Sequence, residues 1–374
     1  MKTALVLGAG IMGLSAAWGL RRAGWSVTIV DQDETPNERG ASVDEHRLIR
    51  HAYGAELGYM RMVDAAHDAW NQLWADLGET LYVKTGMLAL ADAPGGWLAE
   101  SRAGLTTGNY PFADIDAPTL AAQFPMLSGH GIHAAFRMEH AGVLLARQIV
   151  ASLARHLAAN GVTFLRARAK EADPARATLT LEDGTQKTAD LLVIAAGPWM
   201  PRFLPGLAGR VTASRQIAVY LEPPPEHRAG WEAAPMVLDL ASDGGFYAVP
   251  PVAGTALKVG DHRFSLSGDA ETDSRTPTPE EVEGIMALVR PRLRDAAGYR
   301  VIGARACYYD VEPEERFILE PLGDRAVVMS GFSGHGFKFG PLMGLAVAGE
   351  DRLARAGWAA GRTLPVTEAS QGIG

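Results

Sequence analysis

The chain has 374 residues, 47 % of them apolar and 21 % charged, enough for two domains and a large core. A formal net charge of −8 argues against a nucleic-acid-binding surface, and no apolar run approaches the ~20 residues that cross a bilayer. The single cysteine, Cys307, leaves the fold independent of internal disulfides, which fits a reducing cytoplasm.

Lys2 and the apolar stretch Ala4–Leu20 superficially resemble a secretory leader. Three glycines at nucleotide-loop spacing, Gly8, Gly10 and Gly13, interrupt that stretch, however, and Arg21-Arg22 stands where a leader has small residues. Thr3–Leu7 reads instead as a short buried strand. It is followed by Gly8-Ala-Gly10-Ile-Met-Gly13, a helical run to about Ala23, a second strand Ser26–Val30 and the acid Asp31. Gly8 permits a tight turn, Gly10 lets backbone approach a pyrophosphate, and Gly13 lets helix and strand close together. The helix N-terminus suits phosphate, and Asp31 a ribose hydroxyl. This arrangement predicts a dinucleotide site and leaves NAD and FAD both open.

Glu56–Leu77 has helical spacing of Tyr59, Met60, Val63, Ala66, Trp70, Leu73 and Leu77, which we read as core. Ala146–Ala159 is a second amphipathic helix, followed by a strand Thr163–Arg168 and a hairpin across Asp183-Gly184. Leu191–Trp199 is an apolar strand running into a turn at Gly197. Strand-like runs recur at Ser214–Glu222, Met236–Leu240, Gly245–Val249 and Thr255–Val259, with Pro223-Pro-Pro225 as a break. A helix is expected at Pro279–Arg294 with Thr278 as its cap, then a strand Tyr299–Tyr308, then a last helix Gly336–Glu350. Residues beyond Leu364 are expected to be disordered.

The expected fold class is α/β: a Rossmann-like domain plus a substrate domain built on a mixed or antiparallel sheet with flanking helices. The nucleotide domain is expected to be discontinuous, comprising residues 1–85, 141–208 and 305–374. The substrate domain takes residues 86–140 and 209–304.

Four constellations carry charge or polarity worth explaining. Arg47 and Arg50 lie three apart in RLIRHAYG, so they face opposite ways if extended and the same way if helical. They suit phosphate, flavin or a carboxylate, or simply surface charge. Lys258 sits inside a strand-like apolar run, either facing solvent or acting as a fixed charge near a redox centre. Gly331–Phe339 offers backbone N–H groups, with Lys338 expected in the first turn of the last helix. Cys307, Tyr308, Tyr309 and Tyr247 are core packing or pocket lining.

Taken in order, GAGIMG, RLIRHAYG, YVKTGML at 82–88, AAGPW, ALKVGDH, ARACYY and GFSGHGFKF resemble the monomeric sarcosine oxidase and N-methyl-amino-acid oxidase family of flavoproteins, over nearly the whole chain. That resemblance implies FAD, bound covalently through Cys307. Gly8, Gly10, Ile11, Met12, Gly13 and Asp31 would face the cofactor, with Ser42 and Arg47 in the following loop. Ala196, Gly197 and Trp199 would join them, as would Gly334, His335, Gly336, Phe337 and Lys338. Lys258 would promote the reaction of reduced flavin with O2. Arg50 and Lys338 would clamp a substrate carboxylate, while Tyr247, His262 and Tyr309 line the cavity. No metal is implied.

Two features depart from the family. The loop Ala41–His46 carries two acids where many relatives have a Ser/His/Gly-rich loop. Tyr308 replaces a smaller or more flexible apolar residue and is expected to reshape the pocket mouth.

The expected activity is oxidation of a secondary or N-substituted α-amino acid to an imine, with O2 reduced to H2O2. The expected setting is a cytoplasmic monomer without nucleic-acid or membrane partners. Alternatives are a flavin dehydrogenase with another acceptor, a non-catalytic amino-acid or nucleotide sensor, and an NAD-dependent dehydrogenase.

Overall fold

The computed structural model describes residues 1–242, 244–349, 359 and 361. The expectation for residues beyond Leu364 lies outside these, as does the end of the last helix at Glu350.

Six strands form one sheet in the order Ile318–Pro321, Ala326–Ser330, Leu191–Ile194, Thr3–Leu7, Ser26–Asp31, Thr163–Arg166. All neighbours are parallel except the edge strand Ile318–Pro321. The central strand Thr3–Leu7 is buried from Ala4 onward, as its unbroken apolar run requires of a sheet covered on both faces. Helix Ile11–Arg22 crosses from it to Ser26–Asp31, the βαβ unit anticipated from the sequence. Helices Leu57–Leu77 and Ala146–Ala159 have the expected bounds to within a residue. The Asp183-Gly184 hairpin joins Thr178–Leu181 to Gln186–Thr188.

A second sheet of eight strands runs Arg300–Val311, Thr212–Glu222, Leu257–Asp261, Phe246–Val249, Met236–Asp239, Met87–Ala91, Ala134–Met138, Ala113–Asp114. The expected domain boundary at 305 falls inside its continuous strand Arg300–Val311. One face packs Val219, Leu221, Phe246, Ala248, Leu257 and Val259 against Ile285, Met286 and Val289 of helix Pro279–Val289. Period-two alternation sends Tyr220, Tyr247, Lys258 and Gly260 to the opposite face.

Several bounds moved for local reasons. Helix Pro279–Val289 starts with a reciprocal Thr278/Glu281 capping box and passes into a 3₁₀ turn, Arg290–Arg292, where Pro291 has no N–H to extend the α-helical ladder. The last helix begins later than expected. A single 3₁₀ turn, Phe337–Phe339, precedes Gly340–Ala348, so Lys338 lies ahead of the α-helix rather than in its first turn. Residues 82–88 divide between two sheets: the backbone turns at Gly86 (φ 75°), and Tyr82–Lys84 and Met87–Ala91 join different sheets. Tyr82–Lys84 instead pairs with Ala141–Leu144, which also pairs with Arg47–Arg50.

Candidate active site

A cleft of about 1190 Å³, its open mouth included, runs along the C-terminal edge of the parallel strands. Its walls include Gly8, Gly10, Ile11, Met12, Asp31, Ser42 and Arg47 from the first βαβ unit and its following loop. Ala196, Gly197 and Trp199 come from the returning strand, and Tyr309, Gly334, Gly336 and Phe337 from the far side. Gly13, His335, Lys338, Cys307, Lys258, Tyr247, His262 and Arg50 stand outside this lining.

The residues present fit a dinucleotide. A Cβ on Gly13 would lie 1.9 Å from the carbonyl oxygen of Gly8, and one on Gly8 would lie 2.4 Å from that of Ala195. Only glycines therefore bring the start of helix Ile11–Arg22 this close to the strands. The Ile11 N–H donates to Ser42 Oγ at 2.9 Å, tying the 41–46 loop to that helix N-terminus. Asp31 accepts from Ala9 N at 2.7 Å and from Asn37 Nδ2 at 3.0 Å. Burial raises its pKa despite these bonds. Asp33 N also donates to Oδ1 at 3.0 Å, so of the two acceptor sites on each oxygen one on Oδ2 remains for a ribose hydroxyl.

Beside the cleft lies a cluster centred on Asp44. Arg47–Arg50 is a strand, so the two arginines diverge. The Arg47 Nη1 donates to Asp44 Oδ2 at 2.6 Å, and Lys258 Nζ donates to the same oxygen at 2.8 Å. Tyr220, directly opposite Lys258 in the antiparallel register, donates its hydroxyl to Asp44 Oδ1 at 2.5 Å. Burial alone would raise the Asp44 pKa, but Lys258 and Arg47 hold it well below the usual carboxylate range. Lys258 is only 2 % exposed, not solvent-facing, and burial lowers its pKa against the pull of Asp44. Its Nζ lies 5.7 Å from the centre of the Tyr247 ring.

Cys307 and Tyr309 alternate with Tyr308 along Arg300–Val311. Cys307 is buried and in electrostatic reach of Arg47, Asp44 and Lys258; burial raises its thiol pKa, with Arg47 opposing. Tyr308 points the other way. Its hydroxyl donates to Asp273 at 2.6 Å and accepts from Arg215 at 3.0 Å, and it is fully buried. It does not shape the pocket mouth; it anchors the segment after His262.

A second cluster gathers around Tyr53. Lys338, 4 % exposed, donates from Nζ to the Tyr53 hydroxyl and to the His335 carbonyl, each at 2.9 Å. Arg50 lies 4.9 Å from the Tyr53 ring and 5.1 Å from the Trp97 ring. Among the described residues neither cation has an ion-pair partner within 4.0 Å. Burial, then Arg50, drives the Lys338 pKa well below the usual lysine range; Glu315 opposes weakly. Burial also lowers the Arg50 pKa. His335 is held neutral by burial and Lys338, so its Nε2–H donates to the Glu315 carbonyl at 3.2 Å while Nδ1 accepts from Tyr53 at 3.2 Å. His262 is exposed at its residue surface, with its ring centre 6.0 Å from that of Tyr247. Loss of water around the ring, then the Arg50 charge, lower its pKa to about 4.

Asp44, Tyr53, Trp97 and Tyr220 carry much of this geometry without having been singled out as site residues. Tyr53 lies inside RLIRHAYG and Asp44 is one of the two acids of the divergent loop, so both had a visible signal. Trp97 and Tyr220 had none.

A strand–glycine loop–helix cradle ending in an acid, facing a second sheet that projects cations and tyrosines, defines a nucleotide-dependent redox enzyme. Residues 3–349 match the family described as DAO, FAD dependent oxidoreductase, and the chain belongs to it. Monomeric sarcosine oxidase of Bacillus sp. (strain B-0618) is 26 % identical over 345 residues, covering 90 % of this chain and 88 % of that one. N-methyl-L-tryptophan oxidase of Yersinia pestis (strain Pestoides F) is 26 % identical over 347 residues, covering 91 % and 92 %. The fold matches that of L-proline dehydrogenase from P.horikoshii, with a TM-score of 0.81, 18 % identity and 96 % and 97 % of the two chains covered. It also matches the open form of NikD, an unusual amino acid oxidase, with a TM-score of 0.79, 19 % identity and 99 % and 97 % covered. No helix among the described residues is long and apolar enough to cross a membrane.

Proposed function

We propose that this chain is an FAD-dependent oxidase of a secondary or N-substituted α-amino acid. One observation carries the reading. Arg50 and Lys338 flank one tyrosine ring beside the cofactor cleft, Lys338 buried and Arg50 half-buried, and neither has a carboxylate partner among the described residues. A substrate carboxylate supplies the missing anion, and each charge-assisted bond is worth about 1.5–3 kcal/mol. Relatives named for sarcosine and N-methyl-L-tryptophan, both N-methylated amino acids, support the substrate class.

In this reading Arg50 and Lys338 orient the carboxylate, while Tyr247, Tyr309 and neutral His262 line the space around the amine. Bound FAD would supply the two-electron chemistry, oxidation at the carbon beside nitrogen with reduction of O2 to H2O2. Water then hydrolyses the imine product. Lys258 and Arg47 place positive charge near the ring system, and Cys307 is the covalent anchor. The reading extends to a cytoplasmic monomer, in line with the single cysteine and the name of the sarcosine-oxidising relative. A second reading, a dehydrogenase with an acceptor other than O2, is favoured by one feature: Asp44 neutralises part of the charge that would assist O2.

The test pairs two measurements. Purified protein is precipitated with acid, and its peroxide release is measured across N-methyl and cyclic amino acids. Flavin should stay with wild-type protein and leave with Cys307→Ser; flavin lost from both removes the covalent anchor. Substrate bleaching of the flavin without peroxide selects the dehydrogenase, and no bleaching by any amino acid leaves a sensor.

A further inference from the structure

Asp44 has a position that the redox reaction does not require. Its Oδ2 holds Lys258 at 2.8 Å and Arg47 at 2.6 Å, while its Oδ1 accepts from Tyr220 at 2.5 Å and from Glu45 N at 2.7 Å. Both cations are also tied to the same loop backbone. Lys258 donates to the His46 carbonyl at 3.0 Å, and Arg47 donates to the His46 and Ala41 carbonyls at 2.7 and 2.5 Å. Lys258 belongs to the eight-stranded sheet and Arg47 to the small sheet, so one carboxylate fixes two elements at the cleft.

Charge accounting gives this link a consequence. Two cations and one carboxylate leave one net positive charge where Lys258 and Arg47 alone would leave two. The cluster is withdrawn from water: Lys258 is 3 % and Asp44 6 % exposed at the side chain. Its field is therefore weakly screened. Arg47 lines the cleft with Tyr309, and Asp44, Arg47 and Lys258 all act electrostatically on Cys307.

We propose that Asp44 is a positioning and charge-balancing residue, which pins Lys258 and Arg47 to the cleft wall and lowers the positive potential over bound FAD. It thereby restrains the gain of negative charge by the flavin and by O2. The inference rests on FAD occupying this cleft but not on any particular substrate.

Sulfite tests it on the holoenzyme without turnover. Its sulfur lone pair forms a bond to N5 of oxidised flavin, and the ring takes up that electron pair as an anion, read as bleaching of the yellow absorbance. Asp44→Asn should tighten the sulfite Kd about tenfold, the scale of one unit charge acting across several ångströms of protein. Lys258→Met should weaken it about tenfold, and the double variant should return close to wild type. Reoxidation of dithionite-reduced Asp44→Asn by O2 should be faster than wild type.

A merely structural role lowers flavin content or thermal midpoint without moving Kd in opposite directions. If Asp44→Asn alone does not fold, the double variant, which keeps one net positive charge, is compared with Lys258→Met. It must bind sulfite at least about fivefold tighter. A Kd within twofold of wild type in Asp44→Asn, or no gain in the double variant over Lys258→Met, overturns the proposal. Failure of every amino acid to bleach the flavin defeats the proposed function and leaves the role of Asp44 intact. Protein that neither carries nor takes up FAD defeats both.

Discussion

Two pairs of cations sit beside one cleft, and the fold treats them in opposite ways. Arg47 and Lys258 share Asp44, with Tyr220 completing the carboxylate's bonds. Arg50 and Lys338 share only the Tyr53 ring and neutral acceptors. A desolvated cation without an anion costs folding free energy, whereas a paired one loses much less. The first cluster is complete in the protein alone. The second is left without an anion, and for that reason we propose it as the place for a substrate carboxylate.

The sharpest way to break this comparison is to delete cations from each side. Arg50→Met and Lys338→Met should each weaken binding of acetate or an N-methyl amino acid about 10- to 100-fold, and the double variant about 100- to 10,000-fold, from about 1.5–3 kcal/mol per bond. Neither should lower the thermal midpoint. Lys258→Met should lower it, because it removes half the counter-charge of buried Asp44 at a cost of about 3 kcal/mol. Flavin absorbance titration and thermal unfolding read the two effects. Equal destabilisation by Lys338→Met and Lys258→Met would mean that the clusters do not differ.

A smaller effect is expected from pH, and it runs in opposite directions. Lys338 loses its proton well below the usual lysine range because burial and Arg50 disfavour the cation. Anion binding needs that proton, so affinity should be full at lower pH and fall as pH rises through the depressed Lys338 pKa, with proton uptake on binding above it. Asp44 is shifted downward by its two cations. Its contribution to stability is present above the unfolded carboxylate value of about 3.9 and is lost as pH falls toward the folded value. Acid should therefore melt the first cluster, and alkali should silence the second.

Much of the fold was legible because its signals are local. The βαβ start, the hairpin at Asp183-Gly184 and the Thr278 cap each follow from a few adjacent residues. The strand carrying Lys258 was legible, but its bounds were shifted by two residues, since alternation gives a face and not an end. The clusters were half legible. Arg50, Lys338, Lys258 and Arg47 stand in motifs, yet what distinguishes their pairs depends on Asp44, Tyr53 and Tyr220. Asp44 and Lys258 are 214 residues apart, and Lys338 and Tyr53 are 285 apart. No local pattern records a partner at that distance. Tyr308 shows the opposite failure. Its neighbours Cys307 and Tyr309 suggest a place in the site, while strand alternation turns it toward Asp273 and Arg215.

The smallest predicted effect sharpens the comparison most narrowly. Tyr220→Phe removes one donor from Asp44 Oδ1 and leaves Lys258, Arg47 and the Glu45 N–H in place. The ring still packs, so the loss is one hydrogen bond to a charged group, about 1.5–3 kcal/mol. The carboxylate should then titrate higher, moving acid unfolding to higher pH, as circular dichroism can follow. Acetate affinity at Arg50 and Lys338 should stay within twofold, because Tyr220 touches neither. An acetate affinity that fell about fivefold would show that the shared carboxylate also governs the second cluster. The two would then be one electrostatic unit rather than a finished pair beside an open one.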